Sequence, residues 1–288
     1  SIFELLNTSA QGTPGWMEWL VKNAAAGNVL AMDGEVLSIA EFRKCREFLQ
    51  QHDIRIRHEI NLPGELWTDR PAIPNAPVWE LELSFAGESR KEKISRVRAA
   101  IHSMDADCYL GCCLDDAAWL MNLRGGDHPI YPIFHGYVLV TPEQVCLCVD
   151  KEKLDTVTLR HLEEDGIHIF ERNEAAALIS RLPSGSRILM DPYKTSLKLY
   201  ASVPDDVHII EKMDIITHLK SRKNPTEQEN IRKSNIKEST AIVRFIRHIY
   251  DRLEKGPVTE YDLVRDLEIF RRMDPDYLMP ANLAIIAY

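Results

Sequence analysis

The sequence predicts an α/β fold, a mixed sheet with helices on both faces, that gives way to a purely helical segment towards its C-terminal end. Three observations predict it. Helical and strand periodicities alternate over residues 16–210. The strand-like runs 134–140 and 145–149 flank Thr141-Pro-Glu-Gln144, a turn short enough to force an antiparallel pair. From Asn224 onwards only the helical period remains.

The elements follow in order. Thr13-Pro14 is placed to start a helix carrying Trp16, Trp19 and Leu20, and residues 28–33 read as a short buried strand. Ser38 and Glu41 have the spacing of a capping box, in which each side chain satisfies the other's free backbone amide. Behind them Ile39, Phe42, Cys45 and Leu49 recur at helical spacing, and residues 54–57 alternate as a strand does. Residues 1–60 therefore read as the C-terminal part of an α/β domain. Pro63, Pro71, Pro74 and Pro77 then cluster with Trp67 and Trp79. Proline lacks the amide that a helix needs, so residues 61–89 are expected to form an ordered linker, its aromatic rings pinned against a domain surface.

A second α/β domain is expected over residues 90–215. Ser89 and Glu92 make another capping box before a helix with Ile94, Val97, Ile101 and Met104 on one face. A strand at 108–111, a short helix at 115–120, the hairpin, a helix at 173–182, a strand at 187–190, a short helix near 196–200 and a strand at 207–210 complete it. Residues 216–288 open a third, helical unit. Asn224 caps, Pro225 takes the first helical position and Glu227 closes the box. Ile242, Phe245, Ile246, Ile249 and Leu253 are expected on the buried side, Gly256-Pro257 ends the helix, and Thr259 with Asp262 starts another.

Composition narrows the function classes. With 45% hydrophobic and 27% charged residues the chain can bury a core and is not of a disordered class. A net charge of −9 repels a phosphate backbone, so no nucleic-acid partner is expected. No apolar stretch approaches the roughly 20 residues of a membrane span, and no leader-like segment opens the chain. It begins with Ser1, and Tyr288 directly follows the apolar residues 283–287, so both ends are expected to lie inside a longer polypeptide. The six cysteines, at 45, 108, 112, 113, 146 and 148, show no zinc-like pairs of CxxC. Cys146 and Cys148 share a strand face, and buried reduced thiols are expected.

Candidate chemistry is sparse. Asp115-Asp116 sit where acidic residues cap a helix, and Arg124-Gly-Gly-Asp127 reads as a tight turn braced by its charges. His128 with His135, and His161 with His168, lack partners in fixed register for a metal. Ser184-Gly-Ser186 is a loop and not a nucleophile elbow. Lys220-Ser-Arg-Lys223 complements the dipole at a helix end. No complete catalytic constellation emerges.

Several stretches taken together resemble the three-domain Xaa-Pro aminopeptidases of the creatinase/prolidase-type metallopeptidases. Leu114-Asp-Asp-Ala-Ala-Trp-Leu-Met-Asn-Leu-Arg-Gly-Gly-Asp127 is similar to that family's LDEIAWLLNLRGSD. Leu66-Trp-Thr-Asp-Arg-Pro-Ala-Ile-Pro74 resembles its linker, and Ala86-Gly-Glu-Ser-Arg-Lys-Glu-Lys93 its AGxSRxEKL helix start. Leu219-Lys-Ser-Arg-Lys-Asn-Pro-Thr-Glu227 resembles LKAIKNPxE, and Thr259-Glu260 the TE of the second helix of its catalytic domain. The matches run in family order over residues 13–270.

The resemblance implies a creatinase/prolidase N-terminal-type mixed sheet with flanking helices, followed by the first helices of a pita-bread domain. It implies removal of the N-terminal residue from short peptides with proline in second place, using two divalent ions, usually manganese, held by two Asp, one His and two Glu. Those ligands would fall beyond residue 288. This chain is therefore expected to contribute no catalytic, cofactor-binding or metal-ligating residue, to bind no cofactor itself, and to shape the cleft and the subunit interface. A cytoplasmic homodimer without membrane partners is implied. Residues 281–288 are expected to enter the strand before the first ligand, where the family's Ser-Phe-Asp-Thr-Ile stands here as Asn282-Leu-Ala-Ile-Ile286. The alternatives are a non-catalytic scaffold, or a prolidase or creatinase relative.

Overall fold

The computed structural model describes residues 15–280 and 282–287, so the helix start read at Thr13-Pro14 lies outside them. The chain opens with α1 (Trp16–Asn23), β1 (Val29–Ala31), α2 (Ile39–Gln50) and β2 (Arg55–Arg57). β1 and β2 pair in parallel as an isolated ribbon, so β1 is half-exposed where a buried strand was expected. Ser38 accepts from the Glu41 amide at 3.2 Å, and no return bond from Glu41 closes that box. α2 buries Ile39, Cys45 and Leu49.

Over residues 61–77 the linker holds only α3 (Leu62–Leu66), five residues long, consistent with the prolines there, while a short strand and a short helix occupy the rest of the 61–89 stretch. Its aromatic anchor is not as expected: Trp67 is 52% exposed. Polar contacts fix the linker instead, through Pro74, Asn75 and Ala76. It leads into β3 (Val78–Glu80) and α4 (Leu83–Ala86).

The central unit comprises α5 (Arg90–Ser103), β4 (Cys108–Gly111), α6 (Leu114–Leu120), β5 (Leu123–Gly125), β6 (Gly136–Val140), β7 (Val145–Val149), α7 (Thr156–Glu164), β8 (Ile167–Phe170), α8 (Ala175–Ile179), β9 (Arg187–Met190), α9 (Leu197–Tyr200), β10 (His208–Glu211) and α10 (Ile215–Ser221). Six strands form one sheet in the order β10-β9-β4-β6-β7-β8. β6 runs antiparallel to both its neighbours and the other pairs are parallel, which is the mixed sheet the sequence predicts. Alternation along β7 divides the core. Val145, Leu147 and Val149 pack with Ile94, Val97 and Ile101 of α5 and Ile215 of α10. Cys146 and Cys148 face the other layer with Cys108, Ile188 and Ile179. Burial pushes the Cys146 thiol up to about 11 and Cys148 up to about 12, so both stay protonated.

The turn read at Gly125-Gly126 is half strand: Gly125 ends β5 and Gly126 opens the bend that follows. β5 pairs antiparallel with β3, Trp79 opposite Arg124, and neither glycine has a positive φ. Glycine is needed at 125 because a Cβ there would stand 2.7 Å from that of Phe134. Beyond α10 come α11 (Pro225–Leu253) and α12 (Glu260–Arg271), each opened by a complete capping box. The buried side expected for α11 is narrower than its apolar pattern: Phe245 and Ala241 are buried, while Ile242, Ile246 and Leu253 are exposed. No strand forms among the described residues 282–287, contrary to expectation.

Candidate functional site

Two charged assemblies organise the central unit, one docking α10 on α6 within it and the other tying it to the linker before it. The first lies at the carboxyl ends of β4 and β9. The Lys220 ammonium, in the last turn of α10, donates to Asp115 Oδ2 at 2.5 Å and Asp116 Oδ1 at 2.7 Å. Asp116 is fully buried, and its Oδ2 has no hydrogen-bond partner among the described residues. Asp214, 3% exposed, caps α10 by accepting from the Thr217 amide at 2.6 Å. It also accepts from the buried Tyr109 hydroxyl and lies 3.5 Å from the Lys194 ammonium. Lys194 donates to Thr217 Oγ1 at 2.5 Å.

Burial, then the Asp214 charge, push Asp116 up to about 6 despite the Lys220 bond. For Asp214, burial is outweighed by the bonds from Tyr109 and Thr217, and its carboxyl is held below the usual range. Burial also favours neutral Lys220, but its bonds to Asp115 and Asp116 prevail and raise it. Tyr109 is raised well above the phenol range by burial and by Asp214.

Cys113, Asp115 and Asp116 each bring a donor atom within 4.8 Å of the others, the one such trio of His, Cys, Asp or Glu among the described residues. They do not fit a divalent ion. Lys220 already sits between the two carboxylates, and a second cation there would meet its charge at short range. The expectation that Asp115 and Asp116 cap α6 is also corrected. The N-cap is Cys113, without a side-chain bond, and Asp116 faces inward onto Lys220. Lys220 is likewise a buried-pair residue and more than a dipole counter-charge.

The second assembly clamps the linker. Asp127, its side chain 1% exposed, accepts from Lys153 at 2.6 Å and from the Ala76 amide at 3.2 Å. It also faces the His135 amide at 2.8 Å and ring nitrogen at 3.0 Å. Lys153, completely buried, donates in addition to the Pro74 carbonyl at 2.8 Å. Burial opposes the Asp127 charge, but the Lys153 and His135 bonds prevail and keep it below the usual carboxylate range.

The other sequence candidates are dispersed. His128 stacks near Tyr131, His161 meets Glu80 at 2.7 Å, and His168 is exposed on β8. Ser184 and Ser186 flank Gly185, whose φ of 75° makes the turn there. Lys223 reaches no farther than the Ser221 carbonyl. Sequence reading missed Tyr109, Lys153, Lys194 and Asp214. Of these only Asp214 carried a local signal, as a cap residue directly before Ile215-Ile216.

The fold and these assemblies define an α/β domain braced internally where α10 docks on α6 and fastened to the linker that precedes it. The model of the Creatinase/Prolidase N-terminal domain matches residues 69–227, more than half of the chain, and the chain belongs to that family. A protein named probable Xaa-Pro aminopeptidase P from Sordaria macrospora is 29% identical over 96% of this chain and 47% of its own length. Xaa-Pro aminopeptidase 1 of Dictyostelium discoideum is 29% identical over the whole of this chain and 49% of its own. The chain thus spans about half the length of the curated relatives it matches. An X-prolyl aminopeptidase from Caenorhabditis elegans, described as a cytosolic enzyme with a di-nuclear active site, superposes with a TM-score of 0.87 at 23% identity. That likeness covers 97% of this chain and 46% of the other, and it shows a shared fold over nearly all of the present residues. Among the described residues no helix is long and apolar enough to cross a membrane.

Proposed function

We propose that this chain is the N-terminal and middle portion of a metal-dependent Xaa-Pro aminopeptidase, which removes the first residue from short peptides whose second residue is proline. In this reading residues 1–60 end a first α/β domain, 61–89 link, 90–215 form a second, and 216–288 open the catalytic domain. The present residues shape the cleft mouth and the subunit interface of a cytoplasmic homodimer, and two manganese ions are held by residues outside this chain. The observation that carries the reading is the match to Xaa-Pro aminopeptidases over nearly the whole chain at about half their length.

The test is a calorimetric titration of the 288-residue protein with manganese chloride. No stoichiometric binding in the micromolar range is expected. Two bound ions per chain would overturn the reading. A second reading, a non-catalytic scaffold, is favoured by the altered segment at 282–286. Sequence beyond Tyr288 that lacks the Asp, Asp, His, Glu, Glu series would select it.

A further inference from the structure

Two stretches far apart in the chain carry the same local design. Met32-Asp-Gly-Glu-Val-Leu-Ser-Ile39 and Met190-Asp-Pro-Tyr-Lys-Thr-Ser-Leu197 share Met, Asp and Ser at identical spacing, and each ends on an aliphatic residue. Each leads from a strand into a helix and on to a second strand parallel to the first: β1, α2 and β2 in one case, β9, α9 and β10 in the other. The backbone repeats as well. Asp33 Oδ1 accepts from the Glu35 amide and Asp191 Oδ1 from the Tyr193 amide, each at 2.9 Å. Ser38 and Ser196, at φ −71° and −70°, cap their helices by accepting from the amides of Glu41 and Leu199.

That cap satisfies the third amide of each helix and leaves the first two without a partner on their own loop. Each helix finds them on the other loop. The Ile39 amide donates to the Thr195 carbonyl at 3.2 Å, and the Leu197 amide donates to the Leu37 carbonyl at 2.8 Å. Ala40 donates to the Pro192 carbonyl and Lys198 to the Gly34 carbonyl, both at 2.9 Å. Interchanging the two stretches maps every one of these bonds onto its counterpart. The contact is therefore isologous, as across a two-fold axis between subunits, but lies within one chain. Ile39 and Leu197, at its centre, are 1% and 5% exposed.

We propose that residues 33–40 and 191–198 are two copies of one self-complementary docking element, and that their exchange of backbone bonds holds the first α/β unit on the central unit independently of the linker. The partner that each copy fits is the other copy. Arg43 on Glu211 and Lys198 on Glu35 add ion pairs beside it. Those side chains are largely in solvent, where such pairs contribute little, so the specificity lies in the main-chain bonds. The proposal concerns how the two units are joined and does not rest on the catalytic reading.

Cutting the linker tests it. In the 288-residue protein the exposed residues 68–73 are replaced by a protease recognition sequence, the folded protein is cleaved there, and the pieces are run on a size-exclusion column at micromolar concentration. A single peak at the mass of the uncut protein is expected, and separation of the pieces would overturn the proposal. Two variants isolate the backbone bonds. Ile39→Pro deletes the amide yet suits the first helical position, because Ser38 before it is already extended. Ile39→Ala removes the side chain and keeps the amide. The cut Ile39→Pro pieces should dissociate at least about fivefold more readily than the cut Ile39→Ala pieces, since the Thr195 carbonyl loses its donor. Equal affinities would overturn the role given to the bonds. If Ile39→Pro does not fold, amide exchange in the uncut wild-type protein decides instead. One separation exposes all four amides, so Ile39, Ala40, Leu197 and Lys198 should exchange within about threefold of one another after correction for intrinsic rates. Rates that divide into two groups, one for each loop, would contradict a shared contact.

Discussion

Asp127 does at the scale of one residue what the linker cannot do for itself. Residues 62–75 are exposed throughout, so burial holds them only weakly. A single buried carboxylate gathers the Ala76 amide, the His135 amide and the Lys153 ammonium, and Lys153 in turn holds the Pro74 carbonyl. Asp127→Asn leaves the completely buried Lys153 with only the Asp150 carboxylate, 3.7 Å away, as counter-charge, and should cost on the order of 3 kcal/mol. The check is the urea midpoint, with the slope of the transition unchanged. Acid should act in the same direction. The Asp127 carboxyl is held below its usual range, so the stability it contributes is present above the unfolded value and is lost as pH falls through the folded one. Little of this was legible in the sequence. Asp127 and Lys153 are 26 residues apart, and Asp116 and Lys220 are 104 apart, with no periodicity connecting either pair.

Elements fared differently according to how local their determinants are. The capping boxes at Ser89 and Asn224 and the hairpin at residues 141–144 are written within four residues, and each is present. The box at Ser38 is only half formed, since a matching spacing does not oblige Glu41 to turn back. Pairing across long separations was not legible: β3 and β5 have three residues each, and of the glycines that suggested a turn Gly125 is explained by the approach of Phe134 and Gly126 by that of Ala76. α7 and β8 also went unread. The apolar run of α11 predicted its existence and start but not its buried face. Asn224 does more than cap: its Oδ1 accepts from the Glu227 amide at 2.9 Å, while its Nδ2 donates to the Ala86 carbonyl at 2.8 Å. Asn224→Ala should therefore cost about 1 kcal/mol or slightly more, read as a lowered thermal midpoint, whereas Ser38→Ala should cost less.

At the scale of the whole molecule, the fold class, the mixed sheet and the family were all readable from the sequence, because sheet alternation and family motifs are spread along the chain. Placement of the charged assemblies was not. In our account the chain frames an active site that it does not contain. α2 is fastened to the central unit by Arg43, which binds Glu211 with both amino groups, and α10 is fastened to α6 by Lys220. The most direct measurement is hydrolysis of an Xaa-Pro peptide and an Xaa-Ala control, with added manganese, by the 288-residue protein and by a full-length relative such as the Dictyostelium protein. Proline-selective, manganese-dependent release of the first residue is expected from the full-length protein, and none above background from the 288-residue chain. Turnover by the 288-residue chain alone would contradict this account.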